Sequence, residues 1–303
     1  MTAPGDRGPD QLTVRYSDLD VAGHVNNVAW LRFVHVGVSR AVAAWRPPGG
    51  SDRAGDGSSA VAWRWVDIRY RRAVQAVGTP ITVRAIPVER PEGLLITCEV
   101  GAAGPDGRMT ECVTADVFLG PPAPTALERD TPHACHASGT EPPARTGRWP
   151  WSLVVPVRAG DRAGGGSLSP VAAADLLQEA RHDASSGWRH NIRGRLVVAR
   201  TTFCLGQAAA GQEILLHSRC SRVGRASVEL TSRGVDPAGG AVVIRSTTRI
   251  ARLLTDADQE AAPWSDAERA LLQDMGMSTR PGGAGTVPPN GHDPSGGCGQ
   301  LDI

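Results

Sequence analysis

The chain of 303 residues is written twice. GTPITVRA (78–85) matches GQEILLHS (211–218) in its pattern of apolar and polar positions, an offset of 133 that also places Tyr70 on Phe203 and Gly107 on Gly240. Upstream, VNNVAWL (25–31) fits LSPVAAA (168–174) at an offset of 143. The ten-residue difference falls in PPGGSDRAGDGSS (47–59), a surface loop that follows the first helix, where an insertion costs little. A self-similar chain repeats one supersecondary unit, so whatever the first half folds into, the second half must approximate.

Each copy predicts the same order of elements. A short strand (12–17; 151–158) precedes a helix, from Val28 to about Trp45 and from Pro170 to about Trp188. Pro170 suits a first helical turn, where its missing N–H has no partner to lose. Four strand-like runs follow, near 60–72, 80–89, 93–103 and 108–119, then near 196–205, 212–221, 225–235 and 240–254. The last two runs of each set are joined by turns carrying Asp and Gly, a hairpin signal. Short connections make an antiparallel sheet, and the apolar stripe of the one long helix must be buried against it. The fold class is therefore α+β: a long helix wrapped by a curved antiparallel sheet, given twice. A last helix is predicted at 265–275, opened by Ser265 with Glu268 as a capping box.

The expected domains are 11–120 and 148–275, joined by a Pro-rich linker at 121–147 and followed by a disordered tail at 276–303. Formal net charge is +1 and all 32 basic residues are Arg, so bulk electrostatics favours neither nucleic acid nor a membrane surface as partner. No apolar run approaches the ~20 residues that span a bilayer. The six cysteines are scattered without a CxxC pair, as expected of a reduced, cytoplasmic protein. His133, Cys135 and His136 lie alone in the Pro-rich stretch without a second ligand pair, so no metal is expected.

YSDLDVAGHVNNVAWLRF (16–33) concentrates acid, imidazole and amide groups at the mouth of the first helix. This run resembles the hot-dog thioesterase superfamily, which includes 4-hydroxybenzoyl-CoA and acyl-ACP thioesterases and in which Asp-x-x-x-His-Val-Asn-Asn leads into a central helix. VDIRYRRAVQAVGTPITV (66–83) is similar to that family's next strand. The likeness covers about residues 11–120, and residues 148–254 share it only through the repeat. It implies a tandem, double hot-dog chain that forms the family's usual dimer within itself. Plant acyl-ACP thioesterases also pair two such halves, but their catalytic run lies in the second.

Carried over by position, Asp20 is the catalytic acid and His24 the histidine of the run, with Asn26 beside them. Ala22 stands where acyl-ACP thioesterases often carry Asn, and their strand Cys is unmatched, which leaves a leaner mechanism built on the acid. Thioester hydrolysis needs a nucleophile or base and a place for the developing oxyanion. Asp20 supplies the first. The unpaired amides near Asn27–Ala29 at the helix start supply the second. His24 is expected to orient water, assist proton transfer or hold Asp20. Asn27, Val28, Trp30 and Arg71 are the expected substrate contacts, with Arg71 reaching for the phosphates of a CoA or phosphopantetheine arm. Structural roles compete: Asn27 as a helix N-cap, Asp18 as a turn residue or partner of Arg15, Arg69, Arg71 and Arg72 as a solvated strand face.

In the second copy the constellation is gone: Ala163, Ser167, Ser169 and Pro170 fall on Asp20, His24, Asn26 and Asn27. Glu179 is the acid that remains on its helix. One working site is expected, built from the first half and walled by the second, with Ala172 to Ala174 leaving space opposite the first helix. The expected activity is hydrolysis of an acyl-CoA or acyl-carrier-protein thioester without a cofactor. A non-catalytic acyl- or carrier-binding protein and an acyl-thioester hydratase or dehydratase are the alternatives.

Overall fold

The computed structural model describes residues 10–20, 23–45, 62–104, 106–120, 149–163, 166–186, 188–206, 211–254 and 261–277. The insertion at 47–59, the linker at 121–147, the His133–His136 cluster and the tail from 278 onward lie outside these residues.

The first half runs β1 (Asp10–Thr13), α1 (Asn27–Ala44), β2 (Ala62–Tyr70), β3 (Pro80–Arg90), β4 (Gly93–Ala103) and β5 (Met109–Gly120). The second runs β6 (Trp151–Pro156), α2 (Pro170–Ser186), β7 (Arg195–Leu205), β8 (Glu213–Val223), β9 (Ser227–Val235), β10 (Val242–Leu253) and α3 (Asp266–Met277). The expected first strand at 12–17 is shorter, because residues 16–18 form a 3-10 turn. The Asp18 side chain accepts the Arg15 amide at 2.8 Å and bends the chain out of extension.

All ten strands join one antiparallel sheet in the order β1-β3-β4-β5-β2-β7-β10-β9-β8-β6, the second five repeating the first in reverse. β2 and β7 meet at the centre, with Ile68 opposite Thr201. At the 133 offset these two are counterparts, so an approximate two-fold axis crosses the sheet between them. Alternation sets the buried face: in β4, Leu94, Ile96, Cys98, Val100 and Ala102 point inward while their neighbours do not. The stripe Ala29, Trp30, Leu31, Phe33, Val34 and Val38 of α1 fills the space above the sheet. α1 and α2 touch, and one core runs through both halves.

At the seam a charged cluster faces away from that core. Asp67, 1% exposed, accepts Arg200 Nε at 2.6 Å, Arg200 Nη2 at 2.7 Å, Arg69 Nη2 at 2.9 Å and Thr202 Oγ1 at 3.1 Å. Burial by itself raises the Asp67 pKa, but the hydrogen bonds and charges of Arg200 and then Arg69 outweigh it and hold the carboxyl below its ordinary value. A depressed native pKa contributes stability that is present above the unfolded value and lost as pH falls through the native one. Asp67→Asn is expected to cost roughly 1.5–3 kcal/mol, the range for hydrogen bonds to a charged group. Urea unfolding at neutral pH measures it, and the difference from wild type should shrink as the solution is acidified.

Candidate active site

The loop from Leu19 to Val25 is a closed turn held by its own backbone. Leu19 and Val25 bridge, the Asp20 amide donates to His24 O at 2.7 Å, and the Gly23 amide donates to Asp20 O at 2.9 Å. Gly23 sits at φ +75°, a conformation that favours glycine. The Asn26 amide ties the loop to Asp18 O at 2.8 Å, and Val25 ties it to Val74 O at 2.8 Å. α1 then starts at Asn27, and the N-cap is Asn26, whose Oδ1 accepts the Ala29 amide at 2.7 Å. This corrects the reading of Asn27 as the cap. It also removes the Ala29 amide from the expected oxyanion donors. Among the described residues the amides of Asn27 and Val28, at the positive end of the helix, have no acceptor.

Asp20 keeps 42% of its side chain exposed. Its Oδ1 accepts the His24 amide at 3.0 Å, whereas the His24 ring Nδ1 stands 3.9 Å away. The backbone of His24, more than its ring, therefore holds the acid. The ring is buried and clasped by groups from elsewhere: Arg195 Nη2 lies 2.5 Å from Nδ1 and Nη1 lies 3.1 Å from Nε2, while the Gln75 carboxamide reaches Nε2 at 2.5 Å. A guanidinium only donates, so the ring nitrogen nearest it must offer a lone pair. Arg195 belongs to β7 and comes from 171 residues away.

Below the loop a narrow crevice opens between α1, α2 and the central strands, lined by Asn27, Val28, Tyr70, Arg181, Thr201 and Phe203 among others. The sequence-predicted residues thus divide. Asp20, His24 and Asn26 share one loop, and Asn27 and Val28 reach the crevice. Trp30 does not line it: this side chain is 2% exposed in the core, edge-on to Phe33. Arg71 stands outside the crevice lining, with Nε 3.3 Å from Glu111 and its amide donating to Cys112 O. Glu179 is exposed on α2 and lies outside the crevice lining. Gln75, Arg195, Tyr70 and Arg181 were missed. Tyr70 and Arg181 had a signal, as the polar counterparts of Phe203 and Val38 at the two offsets.

The second loop repeats the backbone pattern of the first. Arg158 N–H meets Asp161 Oδ2 at 2.8 Å, Ala163 N–H meets Ser167 O at 2.8 Å, Gly166 N–H meets Ala163 O at 3.1 Å and Ser169 N–H meets Asp161 O at 2.8 Å. Gly166 has φ +80°, and Ser169 Oγ caps Ala172 at 3.1 Å. Asp161, the counterpart of Asp18, survives with the same bond, so these two acids build the loop. Asp20 and His24 have no chemical equivalents there. The groups lost from the second copy are those the scaffold does not need.

Two other chemistries find little support. Burial, then nearby Asp116, pushes the Cys98 thiol up to about 12, and burial raises Cys112, so neither is a ready thiolate. Among the described residues no group of three His, Cys, Asp or Glu is placed to hold a metal, and no helix is long and apolar enough to cross a membrane.

A family model described as the acyl-ACP thioesterase C-terminal domain matches residues 3–42, the loop and most of α1. The 12:0-ACP thioesterase from Umbellularia californica aligns over 81% of this chain and 94% of its own, with a TM-score of 0.57 and 10% identity. The chain is similar to the hot-dog thioesterases, in fold over most of its length and in sequence over residues 3–42. A protein described as an oleoyl thioesterase from Lactobacillus plantarum aligns over 80% of this chain and 95% of its own, with a TM-score of 0.51 and 14% identity. No curated protein matches. The wrapped helix and antiparallel sheet of this chain are the hot-dog arrangement, and the matched segment is the one that carries Asp20, His24 and Asn26.

Proposed function

We propose that the protein hydrolyses an acyl thioester at a single site on its first half. The observation that carries this reading is the pair of matching loops: one scaffold built twice, with the exposed Asp20 carboxylate and the His24 ring kept in only one of them. The matched family and the solved thioesterases support it. The chain is read as two hot-dog units, 11–120 and 148–275, packed as an intrachain pseudo-dimer, which the mirrored strand order supports. The free described cysteines fit a reducing, cytoplasmic setting.

In this mechanism the thioester carbonyl oxygen lies against the Asn27 and Val28 amides, which stabilise the negative charge that develops there. Asp20 either attacks the carbonyl carbon, giving an anhydride that water then opens, or takes a proton from the attacking water. The C–S bond breaks and the thiolate leaves without needing a strong acid, since a thiol pKa is about 8.5. His24 and Asn26 set the loop that aims Asp20. An acyl chain on a carrier protein is the first substrate to test, because the matched family acts on acyl-ACP; acyl-CoA is the second.

Thiol release from carrier-bound and CoA-bound acyl panels tests the reading, with wild type and Asp20→Asn side by side. Absence of turnover across both panels would leave the non-catalytic binder as the better account. Arg195 is a positioning residue in this scheme. Arg195→Met is expected to lower kcat by roughly 10–100-fold with little change in KM, the cost of a misaligned reacting group. A fall in melting temperature without that kcat-against-KM split would reduce Arg195 to a structural role.

A further inference from the structure

Three crevice positions carry a polar side chain where the other half has an apolar one, Tyr70 in the first half and Thr201 and Arg181 in the second. Tyr70 has Phe203 as its counterpart at the 133 offset, and Thr201 has Ile68. On α2, Ala174, Leu177 and Arg181 line the crevice at helical spacing, and at the 143 offset they answer to Leu31, Val34 and Val38 of α1. Val34 and Val38 are buried core residues. The fold therefore asks for an apolar side chain where Arg181 stands. Each exchange adds a polar group, and all three converge on the crevice that begins at Asn27 and Val28.

A guanidinium placed among apolar walls is costly unless it is paired. Among the described residues no carboxylate forms an ion pair with Arg181. Burial lowers the Arg181 pKa and raises that of Tyr70, the charge of each opposing the effect on the other. The remaining walls, Val28, Leu31, Ala174, Leu177 and Phe203, are apolar, and the free space between them is about 10 Å³, so an acyl chain enters only as the surrounding side chains move apart.

We propose that the crevice receives an acyl group ending in a carboxylate, the half-thioester of a dicarboxylic acid, with Arg181 binding the terminal carboxylate and Tyr70 and Thr201 completing its hydrogen bonds. This rests on the thioesterase reading above and names its substrate class. A guanidinium meets a carboxylate through two parallel N–H donors, so the preference for an acid end over a methyl end should be large. It also gives the second half a role in a site whose reacting groups come from the first.

The test uses the full chain and matched thioesters of pantetheine, the arm common to CoA and carrier proteins: glutaryl against pentanoyl, and adipoyl against hexanoyl. Wild type is expected to favour the carboxylated member of each pair in kcat/KM by about tenfold or more, as for a site built around a polar group of its substrate. Arg181→Met, similar in length and apolar, should abolish or reverse that ratio, whereas Glu179→Gln, exposed on α2 outside the crevice lining, should leave it unchanged. Arg181→Lys should retain part of it. Equal rates within each wild-type pair, or a ratio untouched by Arg181→Met, would overturn the proposal and leave the thioesterase reading standing. If no thioester is turned over, the hydrolase reading fails first. Calorimetric affinities of glutaryl- and pentanoyl-pantetheine for wild type and Arg181→Met then decide the matter: a glutaryl preference lost in the variant supports the site, and no preference ends it.

Discussion

Asp20→Asn is expected to lower kcat by roughly 10²–10⁴-fold, the range for removal of a positioned general base or nucleophile. That corresponds to about 2.7–5.5 kcal/mol of lost transition-state stabilisation. The melting temperature should hardly move. Asp20 is 42% exposed, and the hydrogen bond it accepts from the His24 amide is one that an Asn carbonyl oxygen also accepts. The second loop supplies an internal control, since Ala163 occupies the Asp20 position there and the backbone bonds persist. Activity and stability therefore separate at this residue. Asp18→Asn should behave in the opposite way, affecting the loop first, because Asp18 is buried and caps Arg15 as Asp161 caps Arg158. Equal turnover in wild type and Asp20→Asn would show that another group activates water.

Glu268→Ala is expected to destabilise the chain by about 3 kcal/mol or more, because it strands a buried guanidinium. Glu268 Oε2 meets Arg252 Nη1 at 2.5 Å and the Ser265 amide and hydroxyl at 2.8 Å each, and Oε1 accepts the Arg193 amide at 3.0 Å. Arg252 also donates to the Pro263 carbonyl oxygen. This carboxylate holds α3 and the chain before β7 onto β10, beneath the smaller core of Trp188, Ile250, Trp264 and Leu272. Burial by itself raises its pKa, but the Ser265 and Arg193 amides, the Ser265 hydroxyl and the Arg252 charge outweigh it, to about 2. The native pKa lies below the unfolded value, so the stabilisation is full above about 4.5 and is lost as pH falls toward 2. Denaturant unfolding at pH 7 and pH 3 should show a gap between wild type and Glu268→Ala that narrows in acid. The double variant with Arg252→Met should lose less than the two single losses combined, because the stranded charge is removed with its partner.

Much of the local structure was legible because it is local. The capping box of Ser265 and Glu268 spans three residues and formed, although its acid also took on Arg252 and Arg193 from outside the helix. The 143 offset placed Asp161 against Asp18 and Ser169 against Asn26, and those pairs make the same bonds. The cap itself was read one residue late, at Asn27 for Asn26, since both amides in Asn-Asn are competent caps and only backbone geometry separates them. Where Arg71 points was not legible for a related reason. The chain leaves β2 after Tyr70, so the side-chain alternation that would have aimed Arg71 stops there.

The amino-acid sequence by itself determined the repeat, the loop that carries Asp20 and His24, and the loss of that chemistry from the second copy, because each is a matter of neighbours within a few residues. Only the tertiary structure decided which distant groups meet that loop and the crevice. Arg195 clasps His24, and Arg181 enters the crevice beside Asn27, because β7 pairs with β2 and α2 lies against α1. Those contacts are closed across more than 150 residues of chain by sheet register and helix packing, and no periodicity or spacing in the sequence encodes them.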